Sequence, residues 1–389
     1  MINFWPLLLP AAACSGWIAA ARSTEKKSKP SSRSLSSEYV VGLNYLLNEQ
    51  PDKAVDVFIK LLEVDSETVE THLALGSLFR RRGEVDRAIR IHQNLIERPE
   101  LSLVQRKEAL MALAQDYMSA GVFDRAESIF LEVIELVDLK EEAALKGLLA
   151  IYQQEKSWEQ ALETLKKLEQ LTGSVMSAQA AHYYCELASH ALKNNDHEQA
   201  RLAMKNAIHT DKKSVRASLM LAHYKIKNNL YEQAIRHLKR VPEQDPEFLS
   251  EIIEPLVACH RALNTMDDCV GYLEQILTEH PRASVIFVIA EYLKREKHVD
   301  FAIDFVSVQL GRYPSIRGLN RLIYWHLENA TGKVRYKLQV LYDITSRFLD
   351  NKPIYRCNQC GYGGKLLHWQ CPSCKTWGTL KPIHGLEGD

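Results

Sequence analysis

The strings PDKAVDVF (51–58), VDRAIRIH (85–92), FDRAESIF (123–130) and WEQALETL (158–165) decide the fold. They continue as HEQARLAM (197–204), YEQAIRHL (231–238), MDDCVGYL (266–273) and VDFAIDFV (299–306). The fourth residue of each is small: Ala54, Ala88, Ala126, Ala161, Ala200, Ala234, Cys269 and Ala302, at intervals of 34, 38, 35, 39, 34, 35 and 33 residues. Each string reads as the start of a helix, because an apolar or aromatic residue precedes an acidic first turn that complements the helix dipole. The small residue lets a neighbouring helix approach closely. Four residues on, Phe58, Phe130, Leu165, Leu238 and Leu273 fall on the same inward face.

A second set of small residues lies twelve positions earlier, at Gly42, Gly76, Ala114, Ala188, Ala222 and Ala290, and marks the first helix of each pair. Leu149 and Val257 break this pattern, which predicts looser packing in the fourth and seventh pairs. Arg82-Gly83, Ala120-Gly121 and Asn194-Asn195-Asp196 supply turns between paired helices. A period near 34 residues with this chemistry is the tetratricopeptide signature. The fold expected is an all-α tetratricopeptide superhelix of eight repeats over 38–313, followed by a degenerate closing helix pair over 314–350 that covers the last exposed face. Stacked pairs of this kind present a groove for peptides or helices, so the middle of the chain is read as a partner-binding scaffold. His182-Tyr183-Tyr184-Cys185 is read as first-helix packing with a few exposed rings, and Cys259 and Cys269 as buried free thiols.

The ends differ from the middle. Lys plus Arg and Asp plus Glu both total 49, but residues 1–38 and 351–389 each carry a net +3, which leaves −6 between them. That distribution does not suit a general nucleic-acid binder. Residues 1–21 contain no charged side chain and would span about 32 Å as a helix, close to the hydrocarbon thickness of a bilayer. Trp5 and Trp17 lie near its two ends, and Arg22, Lys26, Lys27, Lys29 and Arg33 follow. By the positive-inside rule, 1–21 is a single transmembrane helix with the bulk of the chain in the cytoplasm, and 22–37 is a basic tether. A cleaved signal peptide would need a positive start that is absent before Arg22, a lipoprotein site at Cys14 would need the same, and a buried core helix would not explain the charge asymmetry.

Near the other end, Cys357-x-x-Cys360 and Cys371-x-x-Cys374 are separated by ten residues. Two such pairs form knuckles whose four thiolates close a tetrahedron around one metal ion. Disulfides would need an oxidising compartment, which the expected orientation denies. The segment 351–389 is too short to fold on an apolar core alone, so the metal is expected to supply most of its folding free energy. Trp369, Trp377, Tyr362 and Leu367 are expected around the site or against the last helices, with His368 and His384 outside the ligand set. Tetrathiolate sites accept Fe or Zn. Cys-x-x-Cys-Gly-Tyr and Cys-Pro-x-Cys look like rubredoxin knuckles, while the short spacer looks like a zinc ribbon. Phosphate-loop, dinucleotide, zinc-protease and nucleophile-elbow motifs are missing, and no catalytic residue is assigned.

Anchor, basic tether, helical repeats and a four-cysteine knuckle, in that order, resemble the bacterial lipopolysaccharide assembly protein B family (also called YciM). The likeness covers essentially the whole chain. It is most specific at Glu38-Tyr39-Val40, at the stretch from Arg82 to Gln93, and at Cys371-Pro372-Ser373-Cys374 with Lys381-Pro382-Ile383. The resemblance implies an inner-membrane protein facing the cytoplasm that promotes degradation of the deacetylase LpxC by the membrane protease FtsH. It also implies the gathering of other lipopolysaccharide-synthesis proteins, and a rubredoxin-like iron on Cys357, Cys360, Cys371 and Cys374. A homo-oligomer is compatible with it, and no nucleic-acid partner is expected. The alternatives are a rubredoxin-like electron-transfer protein and a zinc-ribbon nucleic-acid binder.

Overall fold

The computed structural model of the chain describes residues 69–136, 141–350 and 352–388, together with 40–42, 44, 45, 50, 53, 54 and 57. The expected transmembrane helix 1–21 and tether 22–37 lie outside the described residues, as does Phe58. Among the described residues no helix is long and apolar enough to cross a membrane.

Helices follow one another in antiparallel pairs: α1 Val69–Arg81 and α2 Val85–Ile96, α3 Leu103–Ala120 and α4 Phe123–Leu136, α5 Glu142–Glu155 and α6 Trp158–Thr172. Next come α7 Ser177–Lys193 and α8 His197–Thr210, then α9 Val215–Lys227 and α10 Tyr231–Leu238, with a single turn α11 Val241–Gln244. The series ends with α12 Leu249–Leu263 and α13 Met266–Glu279, α14 Ala283–Glu296 and α15 Val299–Arg312, and α16 Ile316–Asn329 and α17 Gly332–Asp350. Every described second helix of the repeats starts at the first residue of its string, and all eight small residues are wholly buried. Between paired helices the chain turns through positive φ at Gly83, Gly121, Lys156, Asn195, Asn229 and Asn264, so three of these turns use asparagine rather than glycine. Ser102 caps α3 with a full capping box: its hydroxyl accepts from the Gln105 amide at 3.3 Å, and Gln105 Oε1 accepts from the Ser102 amide at 3.2 Å.

The chain forms two compact units, one up to Gly147 and one from Leu148 onward. The division falls inside the fourth pair, where Leu149 breaks the small-residue pattern. The seventh pair, around Val257, also approaches less closely than its neighbours. Both side chains are nonetheless buried.

In the N-terminal unit, one inward position carries histidine where the other repeats carry Phe, Leu, Met or Val. His92 is fully buried and abuts Gly76, where a Cβ would come within 2.3 Å of Nε2. Its Nδ1 lies 2.5 Å from Asp116 Oδ2, and Arg80 donates to the other carboxylate oxygen at 2.6 Å. Asp116, itself wholly buried, therefore ties three helices (α1, α2 and α3) together. Such a carboxylate is held only by its partners, and removing it leaves the wholly buried His92 imidazole without its partner and breaks the Arg80 ion pair.

In the C-terminal unit the largest core runs from Val215 to Val306, with Trp325 edge-on to Phe287 at 5.6 Å. Of the expected closing pair, α16 packs on the preceding helices through buried Gly318, Ile323, Trp325 and Leu327, while α17 stays outside the core. Helix α17 contributes no buried residue, and Val334, Tyr336, Val340, Leu341, Ile344 and Phe348 are exposed. It is joined to α16 largely through Asn320, whose amide donates to Thr345 and Ser346 hydroxyls at 2.7 and 2.9 Å. The tail beyond it forms a three-stranded antiparallel sheet of β1 Tyr355–Cys357, β2 Gly363–Gly364 and β3 Leu380–Pro382, in the order β2-β1-β3.

The buried carboxylate gives a direct test. Asp116→Ala should destabilise the N-terminal unit by about 3–5 kcal/mol, read as a lowered urea midpoint for that unit; an unchanged midpoint would mean the network stabilises nothing.

Candidate metal centre and its seat on the repeats

The two knuckles are built alike. In the first, the Gly361 amide donates to the Cys357 carbonyl at 2.9 Å, and in the second the Lys375 amide donates to the Cys371 carbonyl at 2.9 Å. The residue after the second cysteine takes positive φ in both: +77° at Gly361 and +59° at Lys375. The first cysteine of each pair accepts from two backbone amides, Gln359 and Cys360 for Cys357, Ser373 and Cys374 for Cys371. This is a nest geometry that favours anionic sulfur.

All four sulfurs lie within 4.8 Å of one another. Cys357 and Cys374 sulfurs are 3.8 Å apart, and those of Cys360 and Cys371 are 3.7 Å apart. A tetrahedron with metal–sulfur bonds of about 2.3 Å has edges of about 3.8 Å. The four cysteines therefore fit one tetrathiolate ion, and they are free thiols rather than disulfides. Burial pushes the Cys357 thiol up, but the Thr379 hydroxyl, 3.2 Å from its sulfur, and the two amides outweigh it and bring it down to about 6. Thr376 lowers Cys374 through its side chain and amide. Burial raises Cys371 to about 11. Thiolates cannot share so small a volume without a cation, so a bound ion is what lets all four ionise together.

The sequence reading placed Trp369 and Trp377 around the site or against the last helices. They pack instead on the middle of the C-terminal unit. The Trp377 indole N–H donates to Gln153 Oε1 at 3.0 Å, its ring stacks on His182 at 5.2 Å, and it meets Tyr183 and Trp158 edge-on at 5.8 and 6.0 Å. Trp369 stacks on Phe248 at 5.4 Å. The Arg216 guanidinium lies 5.9 Å from the Trp369 ring and 5.8 Å from the Trp377 ring, and it pairs with Glu186 at 2.7 Å. At the rim, the Tyr355 hydroxyl donates to Glu251 at 2.8 Å. Lys381 pairs with Asp245, sits 3.7 Å from Glu247 and covers the Phe248 ring at 4.5 Å. The knuckle thus rests on first helices α5, α7, α9 and α12.

Tyr362 and Leu367 do pack beside Cys357, Cys371 and Cys374, as expected. His182 and Tyr183 were read as packing, and Tyr183 is wholly buried, but both also form the seat. Gln153, Arg216, Asp245, Phe248 and Glu251 escaped the sequence reading, because each stands at an ordinary helix or turn position. Trp158 was seen only as the apolar residue opening its string. Cys259 and Cys269 are buried free thiols, as read, and burial raises Cys269 to about 11.

Burial first, and the Arg216 charge second, lower the His182 imidazole from its ordinary value of 6.5 to about 3. The unfolded or undocked form binds the proton more readily, so the contribution is present above about pH 6.5 and is lost as pH falls toward 3. Docking of residues 355–382 should weaken between pH 6.5 and 5, and His182→Gln should flatten that slope; equal slopes would show that His182 does not sense the seat. Stripping metal with a chelator at neutral pH should abolish hydrogen-exchange protection of 355–382 while α7 and α9 keep theirs, and reloading should bind one ion per chain.

A family model described as "Rubredoxin metal binding domain" matches residues 355–382, and tetratricopeptide-repeat models match 71–102 and 191–252. The chain is 38% identical over 389 residues to the lipopolysaccharide assembly protein B of Escherichia coli (strain K12), with 100% of both chains covered. It is 35% identical over 397 residues to the lipopolysaccharide assembly protein B of Haemophilus influenzae, again with 100% of both covered. With repeats, thiolate knuckles and this identity along its full length, the chain belongs to the lipopolysaccharide assembly protein B family.

Proposed function

We propose that this protein is a membrane-tied adaptor in lipopolysaccharide assembly that binds other proteins and carries out no reaction itself. The observation that carries the reading is the seat. A stack of helix pairs holds a compact, cationic, aromatic ligand, here its own C-terminal knuckle, through stacking and ion pairs on its first helices and on the turn before α12. A surface that binds one segment in this way is suited to hold others. The names of the relatives support a role for that binding in lipopolysaccharide assembly.

In this reading residues 1–21 span the inner membrane once and leave the repeats in the cytoplasm. Confinement to the membrane plane raises the effective concentration of the adaptor toward membrane-bound partners. The partners are the protease FtsH and the deacetylase LpxC, whose degradation the adaptor promotes, with other lipopolysaccharide-synthesis proteins gathered alongside. Cys357, Cys360, Cys371 and Cys374 hold one Fe or Zn ion, which acts as a structural staple. A four-thiolate site has no open position for substrate. The knuckle in turn fixes the side chains of α7 and α9.

The test is the LpxC level in cells. Cys371→Ser with Cys374→Ser should unfold the knuckle and let LpxC accumulate, and a chain lacking residues 1–21 should fold yet regulate poorly. Normal LpxC in both strains would reject the adaptor mechanism.

A further inference from the structure

The knuckle covers the first helices α5, α7 and α9 and the start of α12. The face continues over the rest of α12, α14 and α16, bordered at its end by Tyr342 and Leu349 of α17. Two hollows of about 980 and 740 Å³ adjoin there, sharing Ser284, Phe287, Glu291, Lys294 and Arg321. Together they make one trough across three helices. Helices spaced about 9–10 Å apart give it a span of about 20 Å, the reach of about six extended residues.

Its floor is the buried core itself, Ile253, Val257, Phe287 and Trp325, so the trough is lined by its walls. Its walls are charged and predominantly basic, with Arg261, Lys294, Arg295, Arg317 and Arg321 against Glu254, Glu291 and Glu328. Two of the cations are committed. Lys294 pairs with Glu328 at 3.3 Å over the Trp325 ring, and Arg321 pairs with Glu291 at 3.4 Å over the Phe287 ring. Those pairs fix the walls. Arg261, Arg295 and Arg317 make no ion pair with a carboxylate among the described residues, and Glu254 is the sole acidic side chain of the trough outside the two pairs.

The sign of the charge changes along the face. Where the knuckle sits, Asp245, Glu247 and Glu251 meet its Lys381 and Tyr355. The free trough presents arginines instead. A segment suited to one half is repelled by the other, which is how charge sets register and partner choice. Nucleic acid would face three glutamates, so a peptide suits the trough better.

We infer that the trough over α12, α14 and α16 binds an acidic peptide segment of a partner protein, with its carboxylates on Arg261, Arg295 and Arg317. The inference rests on the adaptor reading and names the chemistry of one of its ligands.

The test is a fluorescence-anisotropy titration of the full chain in detergent micelles. The probe is a labelled peptide of about ten residues alternating Glu with Leu and Phe, long enough to cross the trough. It should bind, bind less tightly as salt rises from about 0.05 to 0.5 M, and lose about tenfold or more in affinity to the Arg261→Glu, Arg295→Glu, Arg317→Glu variant. Circular dichroism and metal content of that variant report its fold; if it does not fold, Arg295→Glu alone, at an exposed position, should still weaken binding severalfold. The inference is overturned if the peptide does not bind, if its Gln-for-Glu version binds equally, if the variant binds as well as the parent, or if an oligouridine of the same length binds as tightly. The titration contains neither protease nor deacetylase. Its failure therefore leaves the adaptor reading standing, and normal LpxC control in the cysteine and anchor variants would remove that reading without touching the titration.

Discussion

The Trp377 indole is the contact on which the seating of the knuckle depends. It joins a segment too small to fold alone to Gln153, 224 residues earlier in the chain. Metal binding can set the four thiolates, but it does not say where the knuckle goes. That is decided by two half-buried indoles, each contributing on the order of 2 kcal/mol by area, and by the groups that receive them. His182 is held neutral by burial and by Arg216, so the ring presents a stacking face rather than a second cation. Arg216 needs Glu186 to be affordable at a site this buried. The seat is thus a connected set in which each polar member is compensated by another.

The N-terminal unit solves a similar problem with different chemistry. Its Arg80–Asp116–His92 network stands at a position where the other repeats carry an apolar side chain. The close approach of Gly76 creates the room for the imidazole. A repeat array tolerates this because each pair needs to satisfy only its neighbours.

Docking the knuckle on the repeats divides the first-helix face by charge. The covered part is acidic at its rim and takes a cationic tail; the uncovered part is basic. One scaffold therefore carries its own ligand and keeps a second surface of opposite preference. Helix α17 adds an exposed apolar stripe beside it, at the end of the array.

The sequence by itself determined the repeat, its register and the four-cysteine cluster. Small residues at a period near 34 can be read because close helix approach excludes larger side chains locally, whatever the rest of the chain does. Cys-x-x-Cys spacing can be read because a knuckle is a local turn. The same locality let Leu149 and Val257 mark the loose pairs. Other features depend on residues brought together from distant parts of the chain, and only the tertiary structure decided them. Gln153, His182, Arg216 and Phe248 form a seat because helix stacking sets them side by side, and nothing at any one of those positions announces it. His92 stood in plain view at an inward position, but its meaning required Asp116 from the next pair. Helix α17 shows the limit from the other side: the helix is legible from periodicity, yet whether its apolar stripe faces inward or outward depends on the neighbour it meets, and periodicity does not contain that neighbour.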